Sequence, residues 1–486
     1  MKKEMTPEQR KEKRNTILIA AAVILAAACI IGLVVYNNVS DSGFFLRKSV
    51  AAQSENYEVN GAMMTYFFWT NYDQYASIAE TYMGLNTSAS LKTQVMDQES
   101  GTTWFDYFAA MAENYVGELL TLCECAKADG IQLEETDEAY VNDSIASMTA
   151  TASQYGYDLD TYLRASFGAG VRESDVRDCL ELSVLASKYY NQYMDSLEYT
   201  DADYDAYYEA NKDSFQAVDY ISCTIKQDQF IAKDADGNPV GSVTEAATAA
   251  KAYADSIAAA SSEAEFRDAI LKYYTDVNGL SAEEAQTKLE ACIVEGMTPS
   301  VGTEASDWAF GAKAGETKVV SASGGTAYEV YYLTKEAYRD DTPTRDVRHI
   351  LLSNDTYGAK AENKAAEVYA KWEESGFDMT VFETLVTEYT EDPGSLSTGG
   401  LYENVSQGQM VAEFDAWLFD AARQEGDTGM VNTSYGCHIM YFAGEGLPAW
   451  KVAAEEALMT EAYSAMITEK GEGITFDQEV VYSINA

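Results

Sequence analysis

Residues 346–353 read Asp-Val-Arg-His-Ile-Leu-Leu-Ser, and residues 433–439 read Thr-Ser-Tyr-Gly-Cys-His-Ile. Between them they hold both histidines of the chain, His349 and His438. The apolar run around His349 reads as a strand that opens a small domain, and the run around His438 reads as the strand that closes it. Two imidazoles at matching ends of one domain are candidates for chemistry, because imidazole titrates near neutral pH. The plain alternative is a pair of core histidines hydrogen-bonded to the backbone or to each other. Cys437 adjoins His438, and on a strand it faces the opposite way, so no zinc site is expected there.

The same pattern occurs twice. Val218-Asp219-Tyr220-Ile221 opens a first copy as Val347-Arg348-His349-Ile350 opens the second. An Ala-rich amphipathic helix follows each opening strand, with Ala361, Ala365, Tyr369 and Trp372 sharing one face in the second copy. Phe266 and Tyr273 in the first copy match Phe382 and Tyr389 in the second at the same spacing. Trp308 with Phe310 matches Trp417 with Phe419. The closing hairpins align without a gap, so that Tyr220 and Ala327 stand where the second copy has His349 and His438. An insertion around residues 277–304 is peculiar to the first copy. The unit so repeated is an α+β fold of one strand, helices and a terminal strand pair.

Upstream, residues 62–212 are mostly helical. Trp104, Phe105, Phe108, Met111 and Tyr115 recur at three- and four-residue steps, and such stripes usually face a core. Residues 17–36 hold no charge and, as a helix, would span about 30 Å, the thickness of a bilayer core. Lys2, Lys3, Arg10, Lys11, Lys13 and Arg14 precede them, which keeps the N-terminus cytoplasmic and places the rest outside. A lipoprotein signal ending at Cys29 is the alternative, but the apolar run continues past that residue. The resulting boundaries are 1–36 for tail and transmembrane anchor, 37–55 for a linker and 56–214 for the helical domain. The two α+β copies occupy 215–340 and 341–447, and 448–486 hold a C-terminal helix and strand.

Composition narrows the function. The 486 residues carry 33 basic and 79 acidic side chains, a net charge of -46, which repels phosphate backbones and argues against nucleic acid. Aromatic content of 12%, with only 6 prolines, argues against disorder. The 7 cysteines form no paired C-x-x-C motifs and read as buried small residues, so no metal or other cofactor is implied.

In chain order the second copy gives His349, then Tyr389-Thr390-Glu391-Asp392, Gly399-Gly400-Leu401, Gly408-Gln409-Met410, Phe414, Trp417-Leu418-Phe419 and Thr433 to His438. This succession resembles the parvulin family of peptidyl-prolyl isomerases. The upstream helices and the extracytoplasmic tether resemble PrsA/SurA-type foldases. The resemblance implies catalytic roles for His349, Asp392 and His438. It implies a proline-binding floor at Met410 and Phe414, a wall at Phe419, and a rim at Thr433 and Tyr435. The fold it implies is α+β and multidomain: a transmembrane helix, a helical chaperone-like domain and two tandem parvulin-like domains, the first degenerate and noncatalytic. The partners it implies are unfolded exported polypeptides with X-Pro bonds, met outside the cell membrane. Two departures stand out. The family's Gly-Gly-Asp-Leu-Gly stretch is Gly399-Gly400-Leu401-Tyr402-Glu403, without the Asp, and no basic loop for phosphorylated substrates follows Leu352. A tethered, noncatalytic holdase is the rival reading.

Overall fold

The computed structural model describes residues 43–486 except 169, 233, 235, 237, 238 and 301. These residues form a multidomain α+β chain of two compact units, one running to Glu198 and resuming over Met459–Ala486, the other Tyr199–Leu458. Among the described residues no helix is long and apolar enough to cross a membrane, and the anchor expected over 17–36 lies outside them.

The first unit opens with strands β1 (Val50–Gln53) and β2 (Glu58–Asn60). Helices α1 (Gly61–Met83), α2 (Trp104–Ala128), α3 (Glu135–Gln154), α4 (Leu159–Phe167) and α5 (Glu173–Asp195) follow. Local chemistry starts each helix. The Asn60 side chain accepts from the amides of Ala62 and Met63, ending β2 and capping α1 at once. Thr103 and Asp106 form a reciprocal capping box on α2. Helix α2 buries Trp104, Phe105, Phe108, Ala112, Val116, Leu119 and Leu120 along one stripe. Tyr115, expected on that stripe, falls at its margin and is 42% exposed. Phe68 of α1 packs on Phe105 with ring centroids 5.3 Å apart.

The C-terminal residues belong to this unit. Residues 475–484 read as one strand, but pairing stops after Thr475–Phe476. Asp477 then accepts from the amides of Glu479 and Val480 and starts a short helix, Gln478–Tyr482. The two paired residues add an edge strand beside β1, giving a three-stranded sheet, and Val481 and Ile484 close the core.

The second unit holds two four-stranded antiparallel sheets. Helix α6 (Asp201–Ala210) leads into β3 (Gln216–Lys226), followed by α7 (Val243–Ala258), α8 (Glu263–Lys272) and α9 (Ala282–Glu290). Strands β4 (Ile293–Met297), β5 (Thr317–Ala322) and β6 (Ala327–Arg339) complete the first sheet in the order β4-β3-β6-β5. The second sheet begins with β7 (Pro343–Ser353) and continues through α10 (Ala361–Glu374), α11 (Met379–Tyr389) and β8 (Leu401–Val405). Helix α12 (Ala412–Leu418) and strands β9 (Thr428–Asn432) and β10 (Gly436–Pro448) finish it, in the order β8-β7-β10-β9. The two sheets thus share one strand order. Helix α13 (Ala449–Lys470) supplies Trp450 and Ala454 to a small cluster with Tyr204 and Tyr208.

The gap-free alignment of the closing hairpins shifts in three dimensions. Tyr331, not Ala327, takes the place that His438 has in the second sheet: it meets Tyr220 edge to face with centroids 5.4 Å apart, where His349 and His438 stack at 5.2 Å. Ala327 lies opposite Lys226, at the far end of β3. The closing hairpin is longer in the first copy: Lys318 pairs with Tyr331 where Val431 pairs with His438, which breaks the constant offset between the copies.

Candidate active site

Strand alternation sorts the second sheet into two faces. Ile350, Leu352, Cys437 and Ile439 point to α10 and α11, where Trp372, Phe382 and Val386 bury them. Val347, His349, His438, Met440 and Phe442 point the other way. There Phe414 and Leu418 of α12 cover the apolar members. One-residue alternation therefore puts both histidines on the same face and turns Cys437 away into the core, where burial pushes its thiol up to about 11.

The histidines face each other because β7 and β10 are antiparallel neighbours, with His438 opposite Leu351 and His349 opposite Met440. Their Nδ1 atoms are 3.0 Å apart. Outward from this pair, His349 Nε2 lies 2.9 Å from Asp392 Oδ2, and His438 Nε2 lies 2.9 Å from Thr433 Oγ1. Both rings are buried, at 3% and 5% exposure. Phe414 meets both edge to face, with centroids 5.5 Å from His349 and 5.4 Å from His438.

Asp392 is held by the segment after α11. The amide of Glu391 donates to the Leu351 carbonyl, and Thr390 Oγ1 accepts from the Leu351 amide, so the chain runs alongside β7. Asp392 Oδ2 then accepts from His349, from Ser395 Oγ at 2.5 Å and from Tyr402 Oη at 2.9 Å. These donors, His349 first, hold the Asp392 carboxyl well below the usual carboxylate range. Burial, with Asp392 beside it, pushes the Tyr402 phenol up to about 12, so it remains a donor. Burial and the neighbouring His349 lower His438 to about 4.

The depressed carboxyl orients one proton. An ionised Asp392 only accepts, so His349 Nε2 donates. The Nδ1–Nδ1 contact joins the two rings, and the Thr433 hydroxyl, which can donate or accept, meets His438 Nε2. The result is one hydrogen-bonded chain, Thr433–His438–His349–Asp392, with every ring nitrogen engaged.

Glycines permit the close approach. Gly400 has φ +83°, its carbonyl accepts from the His349 amide at 2.8 Å, and a Cβ there would stand 2.5 Å from the His349 carbonyl oxygen. Arg348 clamps the same turn, donating to the carbonyls of Thr398 and Gly399.

Of the eight residues singled out from sequence, His349, Asp392, His438 and Thr433 form the polar chain and Phe414 touches both imidazoles. Met410 and Phe419 pack half-buried against the same apolar cluster as Phe414. Tyr435 joins only through its backbone: its amide donates to Thr433 Oγ1, and its side chain is 62% exposed. Sequence reasoning missed Ser395 and Tyr402. Ser395 stands three residues after Asp392 across a Pro-Gly pair, a turn spacing that brings the two side chains together. Tyr402 lies in the departed stretch 399–403, and its ring stacks on His349 with centroids 5.4 Å apart.

Residues 331–444 match the family model of the PPIC-type PPIASE domain. The Foldase protein PrsA of Geobacillus kaustophilus (strain HTA426) is 37% identical over 106 residues, which is 22% of this chain and 34% of that protein. The chain thus spans about a third of that relative's length. PrsA from Bacillus subtilis superposes over 79% of this chain and 90% of its own, at 14% identity and a TM-score of 0.27. PrsA from Streptococcus pneumoniae superposes over 60% and 89%, at 16% identity and a TM-score of 0.22.

Proposed function

We propose that the PPIC-type domain within residues 341–447 is a peptidyl-prolyl cis–trans isomerase, and that the whole chain assists exported polypeptides to fold outside the cytoplasmic membrane. The observation that carries this reading is the hydrogen-bonded chain from Thr433 through His438 and His349 to Asp392, backed by the ring of Phe414. The PPIC-type match over 331–444 and the similarity to PrsA support it.

Rotation about an amide faces a barrier of about 18–20 kcal/mol because resonance stiffens the C–N bond. For X-Pro bonds both isomers are populated, so slow exchange limits folding. No covalent step is needed to lower the barrier. At the transition state the carbonyl loses its conjugation with nitrogen, and an apolar, fixed environment favours that less polar state over the planar one. In this reading Met410, Phe414 and Phe419 seat the proline ring, and Thr433 and Tyr435 border it. His349, Asp392 and His438 form a rigid polar wall whose dipoles are already oriented.

The first sheet, with Tyr220 and Tyr331 in place of the histidines, is read as a degenerate, noncatalytic parvulin-like domain. Its strand order supports that reading. Tethering through residues 17–36 belongs to the same proposal.

A holdase activity is the second reading. Tyr75, Ile78 and Tyr82 lie on one face of α1 with exposures of 37%, 55% and 82%, an apolar face suited to unfolded segments.

The deciding experiment measures cis–trans exchange of a short unphosphorylated X-Pro peptide with the full chain, its His438→Ala form and its Met410→Ala form. Catalysis that falls about tenfold or more in each variant, with circular dichroism unchanged, is the expected result. A folded unmutated chain that leaves the thermal rate unchanged would sink the isomerase reading and leave the holdase.

A further inference from the structure

The first sheet carries a cluster that the isomerase reading does not use. Cys223 lies on β3, and Cys292 lies just before β4 in the insertion peculiar to the first copy. Both thiols converge on one phenol: Cys223 Sγ is 3.8 Å and Cys292 Sγ 3.5 Å from Tyr274 Oη. The backbone sets the pair side by side, because the Ser222 amide donates to the Cys292 carbonyl at 2.9 Å. Tyr274 sits in a π-helical turn, Tyr273–Val277, that continues α8. Such turns are uncommon, and they often mark functional positions. The second copy has Leu352 and no insertion at the matching places, so the cluster is not inherited from the repeated fold.

We propose that Cys223 and Cys292 form a peroxide-oxidisable dithiol, with Cys292 as the attacking sulfur and Cys223 as the resolving one. The Cys292 thiolate attacks one oxygen of hydrogen peroxide. The O–O bond breaks, hydroxide departs and takes up a proton to become water, and Cys292 becomes a sulfenic acid. The Cys223 sulfur then attacks Cys292 Sγ. An S–S bond forms, the S–O bond breaks, and the departing hydroxide takes the Cys223 proton as a second water. Two thiols and one peroxide thereby give one disulfide and two waters.

The environment assigns the roles. Tyr274 is held protonated by burial, so its hydroxyl is free to donate to the Cys292 sulfur. Donation from Cys223 and from Tyr274, with Lys288 nearby, lowers the Cys292 thiol, whereas Cys223 is raised. Exposure is not the cause. Cys292 is 7% exposed and Cys125, in the first unit, is 8% exposed, yet burial raises Cys125. Cys125 is therefore an internal control of equal access and opposite electrostatics.

The test uses the reduced full chain, treated with hydrogen peroxide near neutral pH, then denatured, alkylated and mapped by mass spectrometry without reduction. A Cys223–Cys292 disulfide peptide is expected, while Cys123, Cys125, Cys179 and Cys437 remain alkylated thiols. In Cys223→Ser a sulfenic acid trapped by dimedone is expected at Cys292, and in Cys292→Ser none at Cys223. Tyr274→Phe, which keeps the ring, should slow oxidation about tenfold through loss of one hydrogen bond to the thiolate. Oxidation of Cys125 as fast as Cys292, or thiols intact at both Cys223 and Cys292, overturns the proposal. These outcomes are independent of prolyl exchange, so failure of one reading does not decide the other.

Discussion

His438 carries the clearest pH signature in the molecule. Its ordinary value of 6.5 falls to about 4 in the folded chain because burial disfavours the charged ring and His349 lies against it. Below 6.5 unfolded chains take up a proton that the folded chain refuses. The stabilisation is therefore full above 6.5 and is lost as the pH falls towards 4, at about 1.4 kcal/mol per unit, or about 3 kcal/mol in all. Asp392 acts in the same direction at lower pH: its carboxyl is depressed, so its contribution is lost only below its ordinary 3.8. Pulse proteolysis in urea should show the midpoint for peptides of β10 dropping between pH 7 and 4.5, and His438→Gln should flatten that drop. A midpoint equally steep in the variant would assign the acid sensitivity elsewhere. Ser395 and Tyr402 matter on the same scale, since with His349 they supply the three hydrogen bonds to Asp392 Oδ2.

Among the elements, the turn before β8 bears most directly on the site. Gly400 and Gly408 have nearly the same φ, +83° and +85°, but different neighbours. A Cβ at Gly408 meets nothing within 4 Å, whereas at Gly400 it meets the His349 carbonyl oxygen at 2.5 Å and Val386 at 3.0 Å. Gly408→Ala should cost only the left-handed penalty, about 1 kcal/mol. Gly400→Ala must also push β7 away, and the expected cost is about 3 kcal/mol or more. Chemical denaturation of the two variants checks the difference; equal losses would mean that the turn can move away from β7. Trp372, wholly buried between α10 and the sheet, sets the opposite face with its ring 4.6 Å from Phe382.

At the scale of the whole chain, the first unit depends on residues far away in sequence. Its three-stranded sheet needs Thr475–Phe476, and its core contains Met466, Val481 and Ile484. Full burial of three such side chains stabilises by about 5–9 kcal/mol as an upper bound, comparable with the whole stability of a typical domain. Ending the chain after Leu458 should therefore unfold much of α1 to α5 and leave the second unit intact. Peptide-level hydrogen exchange would show it as lost protection over 61–195 with unchanged protection over β7 and β10. Retained protection over 61–195 would show that the helices are self-sufficient.

Periodicity located the helices of the first unit, because burial imposes a regular spacing on apolar residues, and matched residues such as Trp308 with Phe310 and Trp417 with Phe419 located the repeat. The ordered motifs from His349 to His438 singled out the polar chain before any distance was known. Three features depended on tertiary structure. Tyr331 replaces Ala327 because the closing hairpin reaches further in the first copy, Lys318 pairing with Tyr331 where Val431 pairs with His438, and a gap-free alignment assumes equal hairpins. Tyr435 points to solvent because only its amide reaches Thr433, which residue type does not reveal. Tyr402 and Ser395 converge on Asp392, and Cys223 on Cys292, across loops whose path is decided by packing. The sequence by itself determined most of the apolar stripes, though Tyr115 fell at the margin of its own. The structure decided which buried groups meet, because contact between distant segments depends on register and loop closure, and neither leaves a local periodic trace.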